Sequence, residues 1–226
     1  MTASAEEMRG ARAELLAAAL DGRAWMPPFP QPVTEPAAAS VLILFGRLDN
    51  IPARDDDETV SADLDVLLQR RAATLSSHPG QVSFPGGRRD PDDANPVDTA
   101  LREAQEETGL DPSGVEILAT LPELPLAASN HLVTPVLAWW RKPSTVAAVD
   151  HAETVDVFRV PVAQLIDPAN RCTWTLTRDG ATYRGPAFDI EGTLVWGFTA
   201  GILSALFEAT GWAVPWDAGV ERAVTA

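Results

Sequence analysis

The chain has 226 residues, 46% of them apolar and 22% charged, an ordinary globular composition with enough length to bury one sizeable core. Its formal net charge of −15 argues against a nucleic-acid or membrane-surface role, because either would need a basic patch strong enough to overcome general repulsion. An anionic substrate must then be received by local cations or by metal.

Residues 5–20 are rich in helix formers and set Met8, Ala11, Leu15 and Ala18 at helical spacing, which predicts an N-terminal amphipathic helix. That helix is expected either to cap the core or to mediate a homodimer. Its early acids interrupt any apolar stretch, so it does not read as a secretory signal, and no later run is long enough to span a bilayer without a charge or a proline. The expectation is a cytoplasmic protein without membrane or nucleic-acid partners. Pro27, Pro28, Pro30, Pro32 and Pro36 then break helix and central strand alike and mark an extended connector. The predicted organisation is a helix and connector over 1–37, one domain over 38–212 and a C-terminal tail over 213–226.

Near-continuous apolar runs at 40–47 and 64–71 predict strands covered on both faces. The acidic stretch 49–63 between them reads as a solvated loop. Further strands are predicted at 115–121, 131–140, 154–162, 172–178 and 181–190, and helices at 96–108 and 196–210. Asn95 suits an N-cap, Pro96 occupies the first helical position where its missing N–H is harmless, and Gly109 supplies a stop. Strands that do not alternate regularly with helices predict an α/β sandwich with a mixed sheet, not a doubly wound parallel fold. The lone cysteine, Cys172, has no partner for an internal disulfide and reads as an inert, half-buried residue. His131 and His151 stand isolated and read as non-catalytic.

On the 96–108 helix, Val97, Leu101, Ala104 and Thr108 form the predicted apolar stripe. Glu103 and Glu107 share another face at i, i+4, with Glu106 beside them. Like charges at this spacing oppose a helix by a few tenths of a kcal/mol per pair, and Glu106 and Glu107 also sit near the helix C-terminus, where the dipole disfavours anions. Three unfavourable choices in one turn need a compensating partner. One reading is a solvated acidic face, softened by Arg102 pairing with Asp98 and Glu106. The other is a site for a hard cation such as Mg²⁺ or Mn²⁺, whose preferred ligands are carboxylates and substrate phosphates. A calcium EF-hand loop from Asp90 is excluded, because Asn95 stands where glycine is required and Leu101 where glutamate is required. Just upstream, Gly86 and Gly87 let the backbone turn tightly and approach a ligand or ion.

This stretch resembles the signature of the Nudix hydrolases, in which a glycine, five residues, an acid and a spacer precede an Arg-Glu-apolar-x-Glu-Glu-x-Gly-apolar run. Gly87, Asp93, Arg102, Glu103, Ala104, Glu106, Glu107, Gly109 and Leu110 carry the match. Asp93 replaces the usual glutamate, and the spacer after it is one residue longer. Upstream, His78, Gly80, Gln81, Val82, Phe84, Pro85, Gly86 and Gly87 look like the HxGQVxFPGG element of the coenzyme A pyrophosphatase branch. Gln69 and Ala72 depart from the Thr and Ser of that branch's preceding element, and 129–135 departs from its usual Ser-Gly-Phe start.

The resemblance implies a Nudix-type α/β/α sandwich around a mixed sheet, with a loop-helix-loop site. It implies metal-dependent hydrolysis of a diphosphate, with coenzyme A or acyl-coenzyme A giving 3′,5′-ADP and 4′-phosphopantetheine or its acyl form. ADP-ribose, dinucleotides or nucleoside triphosphates are the alternative substrates, and a catalytically silent ligand-binding module is the alternative of another class. Glu103 and Glu107 are the implied Mg²⁺ or Mn²⁺ ligands, Glu106 a third or water-mediated one, and the Gly87 carbonyl a backbone contributor. Glu106 or Glu153 is the implied general base, with Arg102 holding the acids. Arg70, Arg71, His78 and Arg88 are the candidate receivers of phosphate.

Overall fold

The structure is a computed structural model that describes residues 10–21, 33–48, 63–72, 74, 80–178 and 180–225. Its centre is β1 (Ala37–Arg47), whose apolar run is buried on both faces. Leu42 and Leu44 point into one core while Ile43 and Phe45 point into the other, as strand alternation requires. Strand β1 pairs antiparallel with β2 (Leu64–Arg71) and parallel with β7 (His131–Trp140), so the main sheet is mixed. It is extended by β5 (Val115–Thr120) beside β7 and by β8 (Thr154–Pro161) beside β2. Two short strands, β3 (Val82–Ser83) and β4 (Gly86–Arg88), pair with β2 and β1 respectively. A third, β6 (Leu124–Leu126), pairs with β7.

Helices cover both faces. On one, α2 (Pro96–Thr108) lays Ala100 and Ala104 on Leu42, Leu44 and Ala138. The other face holds α1 (Ala11–Leu20), α3 (Val162–Ile166) and α4 (Gly197–Ala209), gathered with Ile43, Phe45 and Leu137. The result is the expected α/β/α sandwich. Within α1, Ala11 and Leu15 are wholly buried, and Trp212 Nε1 donates to Glu14 at 2.5 Å, so this helix caps the core. Met8 lies outside the described residues, as do His78 and most of the acidic loop.

A second sheet of β9 (Arg171–Arg178), β10 (Ala181–Ile190), β11 (Thr193–Val195) and β12 (Glu221–Ala223) packs beside the first. The 213–226 segment contributes β12, which runs parallel to β9. Cys172 is fully buried, 1% exposed, instead of half-buried, because it sits on β9 against the body of the fold. Among the described residues no helix is long and apolar enough to cross a membrane.

One expectation for α2 is corrected. Ala100, Ala104, Glu107 and Thr108 take its buried face, while Val97 and Leu101 are only half-buried flanks. The small alanines let the helix approach β1 closely, and that rotation carries Glu107 inward.

Candidate functional site

Helix α2 is a rigid mount. Asn95 Oδ1 accepts from Val97 N at 2.9 Å and Asp98 N at 3.2 Å, and Gly109 closes the helix at φ 69°. Both ends therefore have their backbone groups satisfied, which offsets the repulsion among its acids.

Arg102 organises the loop before the helix. Its Nε and Nη2 grip Asp93 at 3.1 and 2.9 Å, and Nη2 also donates to the Arg88 carbonyl at 3.0 Å. Nη1 lies 2.9 Å from Glu106 and 3.0 Å from Glu103. The expected Asp98 partner is replaced by Asp93, because Asp98 is occupied by Asn95 Nδ2 at 2.9 Å. A fork-to-fork pair with Arg102 holds the Asp93 carboxyl far below the usual range and keeps the guanidinium firmly protonated. Arg89 donates to the Asp93 and Ala94 carbonyls, so it shapes the same loop.

The three glutamates separate into different environments. Glu107 is 7% exposed and accepts from Gln69 Nε2 at 2.7 Å and Gly86 N at 2.9 Å. Burial nonetheless pushes its carboxyl up to about 7, with the Glu103 charge adding to the rise and Arg71 opposing it. Glu103 is also raised by burial, against the pull of Arg102. Glu106 is more exposed and turned to Arg102. Among the described residues no three acids, histidines or cysteines gather into a metal cage.

The two-glycine turn sits against Glu103 and Glu107. A Cβ on Gly86 would lie 2.3 Å from the Ser40 carbonyl, and its φ of 152° is one that side chains rarely adopt. A Cβ on Gly87 would lie 2.6 Å from the Glu103 carboxylate. Only bare backbone admits both contacts. Two mutually repelling carboxylates, one buried and one half-buried, beside a turn without side chains form a hard-oxygen donor set, and that chemistry fits Mg²⁺ or Mn²⁺.

Arg71 and Arg88 line a cleft of about 480 Å³ together with Gly86 and Gly87. His131 also lines it. Arg70 faces elsewhere, toward Asp156 at 3.4 Å, because consecutive strand residues point to opposite sides. Glu153 is exposed on the loop that follows Val149; its carbonyl accepts from Ala72 N, and Val149 N donates to the Glu107 carbonyl. That loop therefore crosses the C-terminal end of α2.

Sequence alone does not mark Gln69 as functional, although an amide inside the apolar run of β2 is a usable signal. It is wholly buried and orients Glu107, while its Oε1 meets Thr154 Oγ1 at 3.4 Å. Trp174 and Trp196, which also line the cleft, had no such signal.

The NUDIX domain model matches residues 50–179. The chain is 36% identical over 141 residues to NudL, an uncharacterized Nudix hydrolase of Photorhabdus laumondii, covering 62% of this chain and 74% of that protein. It is 35% identical over 142 residues to the NudL of Yersinia pestis, covering 62% and 70%. Among solved structures, a Nudix hydrolase of M. smegmatis, RenU, superposes with a TM-score of 0.44 at 24% identity, over 58% of this chain and 74% of that one.

Proposed function

This chain belongs to the Nudix hydrolase family, enzymes acting on phosphorus anhydrides of nucleotide derivatives and generally using divalent metal ions, and on that premise we propose that it cleaves the diphosphate of coenzyme A or its thioesters. The products are 3′,5′-ADP and 4′-phosphopantetheine or its acyl form. One observation carries the substrate reading: Gln81, Val82, Phe84, Gly86 and Gly87, from the element resembling coenzyme A pyrophosphatases, all line the cleft, and its two glycines touch Glu107 and Glu103. The proposed catalytic unit is 38–212, and its proposed setting is the cytoplasm.

Glu103, Glu107 and the Gly87 carbonyl would hold Mg²⁺ or Mn²⁺, with Glu106 as a further or water-mediated ligand. Such an ion supplies charge neutralisation and a more acidic water. The protein's own groups do the rest. Arg71 and Arg88 receive phosphate oxygens in the cleft. The Gly86 N–H and the Gln69 amide hold the Glu107 carboxylate in one orientation. Arg102 fixes the loop through Asp93 and keeps Glu106 beside Glu103. Glu106 takes the proton from the attacking water, with Glu153 on the neighbouring loop as the second candidate.

The test is a panel of coenzyme A, acyl-coenzyme A, ADP-ribose, NADH and nucleotides with Mg²⁺ or Mn²⁺, with products resolved by chromatography. Release of 3′,5′-ADP is expected. Turnover of ADP-ribose with none of coenzyme A would overturn the substrate assignment, and no turnover of any compound would favour a silent binding module. Glu106→Gln and Glu153→Gln, compared for kcat, separate the two proton acceptors.

A further inference from the structure

The cleft does not end at the glycines. From Gly86, Gly87 and Arg88 it continues to the second sheet and the start of α4, where Trp174, Leu176, Trp196 and Phe198 line it and the exposed Arg178 follows Leu176 on the same strand face. Trp174 and Leu176, two apart on β9, share one face of that strand. Trp196 immediately precedes α4, and the first turn of α4 is tied to the cleft floor by Thr199 Oγ1 donating to the Val82 carbonyl at 3.1 Å. A volume of about 480 Å³ falls in the range that holds most of a medium-sized ligand, not a diphosphate alone.

Trp174 is held by an absence. Gly185 pairs with it across β9 and β10, and a Cβ there would lie 2.6 Å from Trp174 Nε1 and 3.0 Å from Cε2. The indole therefore lies flat over a bare Cα. Among the described residues its buried Nε1 has no hydrogen-bond partner, whereas buried tryptophans usually find one. The ring is placed as an apolar plate, at the expense of its polar handle. Trp196 packs on it with centroids 5.5 Å apart and planes tilted by 57°. Two tilted rings present an apolar corner, not the parallel faces that would sandwich a nucleobase.

We infer that this corner receives the acyl chain of a coenzyme A thioester, and that Trp174, positioned by Gly185, makes the enzyme prefer acylated over free coenzyme A. The occupant follows from continuity: the same cleft holds the diphosphate at its cationic end, so its apolar end faces an arm of the same molecule. This inference rests on the coenzyme A reading above.

The test is kcat/KM of the metal-loaded enzyme for coenzyme A and its acetyl, hexanoyl and decanoyl thioesters. Each methylene buried is worth roughly a fourfold change, so at least a tenfold rise from coenzyme A to the hexanoyl thioester is expected. Trp174→Ala and Gly185→Val should each collapse that ratio to within about twofold. Because the ratio is taken within one preparation, partial misfolding cancels, and Phe198→Ala provides a second truncation of the same wall. A flat series in the wild type, with coenzyme A turned over, overturns the acyl site and leaves the coenzyme A reading standing. Equal losses on coenzyme A and thioesters in Trp174→Ala would assign the plate to another part of the substrate and likewise overturn it. No turnover of any coenzyme A compound, with turnover of ADP-ribose, sinks the underlying reading instead.

Discussion

Arg102 and Arg171 are two shielded guanidiniums in two regions, and they are compensated in opposite ways. Arg102, in the loop-helix site, meets Asp93, Glu103 and Glu106 and is driven to stay charged. Arg171, in the second sheet, is 3% exposed, donates to Ser204 Oγ at 2.8 Å and lies between the rings of Phe188 and Trp216. Burial pulls its pKa down to about 10. Among the described residues no carboxylate forms an ion pair with it. The lesson is that a charge network marks chemistry only where acids outnumber their cations. Around α2 they do, whereas Arg171 pins the C-terminal segment to α4 and the second sheet by stacking.

The largest expected effect breaks the acid-rich side. Glu107→Gln should lower kcat by on the order of a hundredfold. Its melting temperature at pH 8 should be unchanged or higher, because a desolvated charge is removed; an active variant would refute its proposed role as a ligand. Next, Arg102→Lys keeps the charge but loses the fork that spans Asp93 and the Arg88 carbonyl, so kcat/KM should fall about tenfold. Thermal unfolding should also begin earlier, which calorimetry would register. Arg171→Met sharpens the contrast: full activity is expected, with stability within about 1 kcal/mol of wild type or above it, since apolar replacement of a buried charge is often neutral or stabilising. Loss of turnover there would mean the second sheet does more than make the proposed substrate contact.

The smallest effect is a pH slope. Asp93 is depressed in the folded state, so its contribution is complete above the ordinary aspartate pKa near 4 and is lost as pH falls below it toward the lowered folded value. Asp93→Asn should therefore flatten the loss of melting temperature between roughly pH 5 and 3. An unchanged slope would show that other carboxylates control acid unfolding.

Much of the architecture was legible. The Asn95–Pro96 start and Gly109 stop gave α2 its observed limits, and the apolar runs of β1 and β2 marked the sheet centre. These features act through neighbours in sequence, by capping, by backbone φ and by periodicity. The site was legible in its members but not in their orientation. Helical spacing offers Arg102 both Asp98 and Glu106, and only Glu106 is taken, Asp93 replacing Asp98. Spacing along a helix does not say which carboxylate the sheet will cover. Strands as short as β3, β4 and β12 carry no periodicity of their own and exist only because a longer strand offers them free backbone groups.

The sequence by itself determined where the acids, the glycine turn and their helix lie, because each is specified within a few residues by caps, conformational freedom and charge. Tertiary structure alone decided that Glu107 turns inward onto Gln69 and Gly86, that Arg71 and not Arg70 joins the cleft, and that Trp174 lies across Gly185. Those choices depend on close packing between elements far apart in the chain, and packing leaves no local signature to read.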